Sequence, residues 1–259
     1  MKPKVSVIII TKNNAHEIRN CLESVKWADE IVVVDSFSTD DTAAICRDYT
    51  DKIFQHAFLG YSEQLNLCLE KTSHDWIFNV YADEVISPQL GQEIEALFAT
   101  GGPPLNGYKM IRSQYLHKRL LKRSGYYPLY ELRLFRKSKG GFMARNPHQK
   151  VKVRGKVGHL RSVIEHHSWR NWGEIFDNFM EYAKIEAKWA FDHGERVNLL
   201  SFLLLPLEFL RRFIVKRGFL DGILGIVICG RRVAYDFIKY ALMWELQNER
   251  WLEEKTVQK

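Results

Sequence analysis

The apolar run Val5 to Ile10, within "KVSVIII", is rich in β-branched residues and is closed by the polar "TKNN". A strand that alternates apolar and polar side chains can leave one face in water. A continuous run needs cover on both faces, as a strand inside a parallel sheet has. The following segments supply that cover. "HEIRNCLESVKWA" sets Ile18, Cys21, Leu22 and Val25 at helical spacing, and "EIVVVD" is a second buried strand. "STDDTAAICRDY" predicts a helix with Ser38 as N-cap and Asp40 and Asp41 in its first turn. "DKIFQ", "YSEQLNLCLEKT" and "DWIFNVY" continue as strand, helix and strand. This alternation predicts an α/β fold with a parallel sheet and right-handed crossovers, whose ligands meet the carboxyl ends of the strands. Asp35, Asp40–Asp41 and Asp83–Glu84 all fall at or just beyond those ends. Ser87 and Pro88 already start the next helix, so Asp83 and Glu84 are not needed as caps. Asp35 ends an apolar strand, and its carboxylate is expected to face a ligand or backbone N–H groups.

After Gly101-Gly102-Pro103-Pro104 the pattern changes. "NGYKMIRSQYLHKRLLKRSGYYP" is basic and aromatic, and "YELRLFRK" and "HQKVKVRGKVGHL" read as strands, the latter with a turn near Gly155. From about Arg170 the chain reads as helical. Its longest charge-free stretches, Val197 to Leu207 and Gly222 to Gly230, are too short for a span of about 20 apolar residues. Arg211, Arg212, Lys216, Arg217, Arg231 and Arg232 interleave there with Leu, Phe, Tyr and Trp. Such a mixture suits helices in the headgroup region of an anionic leaflet, or else a buried helical pair or an oligomer interface. The net charge of +7 favours an anionic partner. No nucleic-acid recognition motif accompanies it, so a nucleic-acid partner is not expected. The scattered cysteines (Cys21, Cys46, Cys68, Cys229) form no C-x-x-C pair and point to a reducing compartment. The first apolar run is too short for a signal-peptide core, so export is not expected. No P-loop, no G-x-G-x-x-G after a strand and no G-x-S-x-G elbow occurs, which argues against P-loop, nicotinamide and α/β-hydrolase chemistry.

"VSVIIITKNN", "EIVVVDSFSTDDT", "QLNLCLEKTSHDWIFNVYADEVISPQL", "RSGYYP", "RLFRK", "HQKV", "HHSWRNW" and "RGFLDGILG" occur in that order. Together they resemble the family 2 glycosyltransferases, and within them the bacterial lipopolysaccharide inner-core glucosyltransferases, over nearly the whole chain. The resemblance implies a GT-A fold, a UDP-sugar donor, Mg²⁺ or Mn²⁺, and inversion at the anomeric carbon. It also implies a heptose acceptor on the lipid A-linked core, met at the cytoplasmic face of the inner membrane by a peripheral protein. Residues 1–169 are then expected to be the catalytic domain, with 1–100 the nucleotide-sugar half and 101–169 the acceptor half. Residues 170–259 form a helical membrane-surface extension. The oligomeric state stays open. Carried over, the resemblance places Thr11, Lys12, Asn14, Asp35, Gln64, Asn66, Tyr81 and Ala82 on the donor side and Asp83 at the metal. His166 either approaches the metal and diphosphate or is a hydrogen-bonded structural histidine. A hard cation held by one or two carboxylates and by phosphate oxygens stabilises the charge of a leaving diphosphate. The basic run Lys109, Arg112, His117, Lys118, Arg119, Lys122 and Arg123 suits a phosphorylated acceptor or a solvated loop. Tyr126 and Tyr127 offer faces for a sugar ring or for packing.

Three positions depart from the family pattern. Its Asp-Ala-Asp-Glu is Tyr81-Ala82-Asp83-Glu84, its "KNE" glutamate is Asn14, and its His-Glu pair is His148-Gln149. An inverting transferase needs a base for the acceptor hydroxyl, and an amide has almost no basicity near neutral pH. Gln149 can orient that hydroxyl but cannot deprotonate it, leaving Glu131, His148 or Glu84 to take the proton. The alternative is a catalytically impaired or non-catalytic homologue that binds nucleotide sugar or membrane.

Overall fold

The computed structural model describes residues 3–99, 102–116, 119–143, 150–169 and 172–257. They divide into two units, Met1–Leu120 with Tyr127–Ser168, and Leu121–Tyr126 with Trp169–Lys259. Residues 121–126 group with the helices of the second unit.

The first unit begins β1 (Val5–Thr11), α1 (Ile18–Val25), β2 (Glu30–Asp35), α2 (Thr42–Arg47), β3 (Ile53–Gln55), α3 (Tyr61–Lys71) and β4 (Trp76–Asn79). It continues with β5 (Glu84–Ile86), α4 (Pro88–Ala99), β6 (Gly107–Leu116), β7 (Arg119–Leu120) and β8 (Leu129–Arg136). β9 (Gly140–Met143), β10 (Lys150–Val153) and β11 (Val157–Trp169) complete it. The main sheet runs β3-β2-β1-β4-β8-β6-β11-β5, with β7 on β6. β1 to β4 pair in parallel, as the sequence pattern predicts. β8 then pairs antiparallel with β4 and with β6.

β1 is buried at every position. Val5, Val7 and Ile9 pack on one face with Ile18, Leu22 and Val25 of α1 and Leu90 and Ile94 of α4. Ile8 and Ile10 pack on the other with Leu65 and Leu69 of α3. Each such aliphatic side chain contributes about 1.5–3 kcal/mol on burial, so the two-sided core explains the run that opens the chain. α2 starts later than expected. Ser38 is not its cap, because its hydroxyl and N–H both donate to Asp35, and Asp40 instead accepts the Thr42 N–H at 3.0 Å. Ser87 does cap α4, accepting the Leu90 N–H at 3.3 Å. The strands on either side of Gly155 do not form a hairpin: β10 pairs with β9, and β11 with β5.

Glu30, at the start of β2, accepts from Lys52 Nζ, from Ser6 Oγ and from the Ser73 N–H at 2.8 Å. Burial alone would raise its carboxyl; Lys52, Ser6 and Ser73 together bring it down from 4.5 to about 2. A depressed folded-state value contributes stability above about 4.5 that is lost as pH falls toward about 2. Glu30→Gln is expected to lower the unfolding free energy by about 1–3 kcal/mol at neutral pH. Urea unfolding at neutral pH and in acid should show that gap closing, and a gap independent of pH would contradict the assignment.

The second unit contains α5 (Trp172–Asp192), α6 (Leu199–Leu203), α7 (Leu205–Leu210) and α8 (Ile223–Val257). A π turn at Arg211–Val215 and a 3-10 turn at Gly218–Asp221 join α7 to α8. Its core lies where α5 meets α8, through Phe179, Ala183, Ala187 and Ala190 against Tyr235 and Met243. No helix among the described residues is long and apolar enough to cross a membrane.

Candidate active site

The carboxyl ends of β1 and β2 lie side by side, with Thr11 opposite Asp35 in register. The loops that follow are laced together. Thr11 Oγ1 and the Lys12 N–H both donate to Asn14 Oδ1, at 3.0 and 3.2 Å. The Asn14 N–H donates to Thr42 Oγ1 at 2.7 Å, and Asn13, at φ 53°, exchanges bonds with Ser38 and Thr39. Asp35 is fully buried and accepts the Ser38 N–H at 3.1 Å, meeting the expectation of backbone N–H partners. Gln64 is also fully buried. Its amide spans Ser36 Oγ and the His56 carbonyl, so it braces the loop after β2. Asn66 does not join this group, because its side chain bonds both ways to the Phe142 backbone of β9. Phe37, which no sequence motif marks, is exposed at φ 56° just beyond Asp35. Its only signal is an aromatic where a turn residue is usual.

Beyond β4, the turn Tyr81–Glu84 is fastened from several sides. The Tyr81 N–H donates to Glu84 Oε2 at 3.0 Å, and the Tyr81 carbonyl accepts from Cys21 Sγ at 3.2 Å. Ala82 is buried. Glu84 is fully buried and accepts from Arg112 Nε at 2.7 Å and Arg133 Nη2 at 2.8 Å. This corrects the expectation that Glu84 can act as a base, because it has no exposed oxygen; the part-exposed Arg112 gives its Nε to Glu84. Arg133 also lies over the Tyr81 ring, 4.5 Å from its centroid. A cation on an aromatic face gains electrostatic energy, so the tyrosine holds by its ring the arginine that an acid would hold by charge. Burial pushes the Tyr81 hydroxyl up to about 12. Two buried polar atoms here, Asn79 Oδ1 and Arg133 Nη1, have no partner among the described residues. Orphans of this kind are uncommon away from functional sites.

β5 pairs antiparallel with β11, placing His166 opposite Glu84, and the His167 N–H donates to the Asp83 carbonyl at 3.1 Å. That register brings His166 Nε2 to 2.8 Å from Asp83 Oδ2, while His166 Nδ1 lies 2.6 Å from Gln114 Oε1 on β6. An amide oxygen accepts only, so Gln114 fixes the proton on Nδ1 and leaves Nε2 directed at Asp83. Burial would raise the Asp83 carboxyl, but His166, with Arg112 behind it, holds it well below the usual range. Two ligands in adjacent octahedral positions at about 2.1 Å from Mg²⁺ lie about 3 Å apart. Asp83 and His166, which meet directly at 2.8 Å, are the two side chains that would hold a divalent ion here. Among the described residues no three His, Cys, Asp or Glu side chains gather into a metal cluster.

Glu131, on β8, is part-exposed. Both of its bonds to Arg133 use Oε2, and Oε1 has no partner among the described residues. Burial would raise this carboxyl too, but Arg133 and Arg112 keep it below its ordinary value. His148, Gln149 and Lys118 lie outside the described residues. Arg119 and Tyr127 belong to the first unit, whereas Lys122, Arg123 and Tyr126 belong to the second. There the Tyr126 hydroxyl accepts from Arg231 at 3.1 Å.

The model of glycosyl transferase family 2 matches residues 6–166, ending at the histidine that meets Asp83. An uncharacterized glycosyltransferase of Rickettsia felis is 31% identical over 239 residues, 86% of this chain and 83% of its own. The lipopolysaccharide core biosynthesis glycosyltransferase LpsC of Rhizobium meliloti is 28% identical over 260 residues, 95% of this chain and 94% of its own. Among solved structures, S. aureus TarS aligns with 95% of this chain and 92% of its own, at 15% identity and a TM-score of 0.46. The chain belongs to glycosyltransferase family 2, and its first unit is the GT-A domain of that family. Apart from Leu121–Tyr126, the second unit lies beyond the family match.

Proposed function

We propose that this protein is a metal-dependent inverting hexosyltransferase. It moves glucose, or a related hexose, from a UDP-sugar to a heptose of the lipopolysaccharide inner core, at the cytoplasmic face of the inner membrane. The observation that carries the reading is the Asp83–His166 pair just beyond β4, on the same sheet edge as Thr11 and Asp35. The similarity to LpsC supports a core acceptor. A divalent ion held by Asp83 and His166 would supply positive charge for the departing diphosphate. Thr11, Asn14 and Asp35 shape the donor end of the sheet. Arg133, with Nη1 unpartnered, adds a second positive group beside the turn. Glu131 Oε1 takes the acceptor proton as the acceptor oxygen bonds to the anomeric carbon and the bond to the diphosphate breaks. Gln149 then orients the hydroxyl, and its lack of basicity is no obstacle to turnover.

Release of UDP from UDP-glucose should require Mn²⁺ or Mg²⁺, stop with chelator and return when the ion is restored. Truncated core from a strain lacking this sugar is the acceptor to use. Failure to bind UDP at millimolar nucleotide with either ion would overturn the reading. The impaired-homologue alternative gains if Tyr81→Asp with Gln149→Glu creates an activity that the natural chain lacks.

A further inference from the structure

The second unit exposes far more apolar side chain than its own core requires. Between Leu199 and Val227, thirteen large hydrophobic side chains are exposed, among them Leu199 at 74%, Val215 at 70% and Ile223 at 81%. Neither α6 nor the π turn buries a single residue, and α7 buries only Leu205. Loose folding is not the cause, since α5 and α8 form a proper core further along the same unit. So many exposed apolar side chains within one short segment mark an interaction site.

Its charges identify the occupant. Glu208, the acid of α7, is neutralised by Arg211 and Arg212, each at 2.7 Å. Lys122, Arg123, Lys216 and Arg217 have no acidic partner among the described residues. A backbone knot gathers these four. The Ser124 N–H donates to the Lys216 carbonyl at 3.1 Å, and Arg212 Nη1 donates to the Ser124 carbonyl at 2.8 Å. The turn beneath is just as tight: a Cβ on Gly225 would stand 1.8 Å from the Gly218 carbonyl oxygen, and Arg217 adopts φ 55°. The segment is thus a fixed hairpin, none of whose helices is long and apolar enough to cross a membrane, with apolar side chains along it and, at its turn, cations without an acidic partner among the described residues.

We propose that residues 199–227, with Lys122, Arg123, Lys216 and Arg217, form the docking surface that seats the protein in the headgroup layer of an anionic bilayer leaflet. The exposed leucines, isoleucines and valines, with Phe219, enter the acyl boundary, and the four cations meet lipid phosphates. The proposal deepens the membrane-face location given above and rests on it. It reassigns Lys122 and Arg123 from the acceptor pocket to the membrane surface. A second copy of this chain fits the surface less well, because a two-fold contact would bring the same unpaired cations of both copies together.

The test is flotation of the full chain with vesicles of phosphatidylcholine, with and without phosphatidylglycerol, in the absence of donor and acceptor. The chain should bind the anionic vesicles and be released by salt. Lys216→Glu with Arg217→Glu should weaken binding at least about tenfold, since each basic residue at such a surface changes partitioning roughly fivefold. Leu203→Ser with Leu207→Ser should weaken it comparably, with circular dichroism and unfolding temperature unchanged. Equal binding to both vesicle types, or a charge variant that binds like the natural chain, would overturn the proposal. So would a lipid-free dimer that the leucine changes dissociate while vesicles go unbound. A protein that floats with vesicles but fails to bind UDP sinks the transferase reading alone; one that binds UDP but never vesicles sinks only this surface.

Discussion

Asp83→Asn should leave the fold intact and remove transfer. The amide keeps the shape of the carboxylate, and its NH2 can donate to His166 Nε2, which lies 2.8 Å from Asp83 Oδ2. What disappears is the negative charge, which the site maintains by holding this carboxyl well below its usual range against the effect of burial. Stabilising a leaving diphosphate through a bound cation is worth several kcal/mol, so kcat/KM should fall by about 10³-fold. UDP affinity measured with Mn²⁺ should fall in parallel, while UDP affinity in chelator should be the same for both proteins. That comparison separates a metal ligand from a residue that merely shapes the loop. His166→Gln should have a smaller effect, because an imidazole adds less than a carboxylate to a hard ion that prefers oxygen. Full activity in Asp83→Asn would remove Asp83 from the metal and leave the turn without its proposed purpose.

The parallel half of this sheet is legible from sequence because its inner strands, β1, β2 and β4, need cover on both faces. "VSVIII", "EIVVVD" and "DWIFN" can do little else, and the helices between them carry their apolar residues at matching spacing. β5 is not legible. It is three residues long, Glu84–Ile86, and exists because β11 lies beside it after a long detour of chain. The Asp83–His166 contact depends on that same register, so the resemblance names both residues without showing that they touch. Arg112 reads as one more cation in a basic run. Only the folded sheet shows it half-buried and paired with Glu84, and the one hint in the sequence is a charged residue between Ile111 and Ser113 of a strand. Residues 121–126 illustrate a different limit. Their composition suits a phosphorylated acceptor, but Ser124 fixes them to Lys216 and Arg212, about ninety residues later in the chain. Composition describes what a segment can bind, and only its partners determine which surface it joins.

Glu84→Gln should be the most destabilising single change at this site. Glu84 is fully buried and is the shared acceptor of Arg112, Arg133 and the Tyr81 N–H. With its oxygen at the Oε1 position an amide accepts from both arginines, but its NH2 then faces the donating Tyr81 N–H; turned over, it accepts from Tyr81 alone and its NH2 faces two guanidiniums. Removing one partner from a buried charged network costs about 3–5 kcal/mol, which for a chain of this size lowers Tm by roughly 6–15 °C. Networks of this kind are seldom kept for stability alone, since apolar replacements often match them. Here the carboxylate also ties down the turn that carries Asp83 and holds Arg133 over Tyr81. The double variant Glu84→Gln with Arg112→Met tests that second task, because it removes one stranded charge along with its partner. It should regain part of the lost Tm in differential scanning calorimetry while kcat remains depressed. If kcat returned together with Tm, the network would be a packing device, and the aim of Asp83 would have to come from the pairing of β5 with β11 alone.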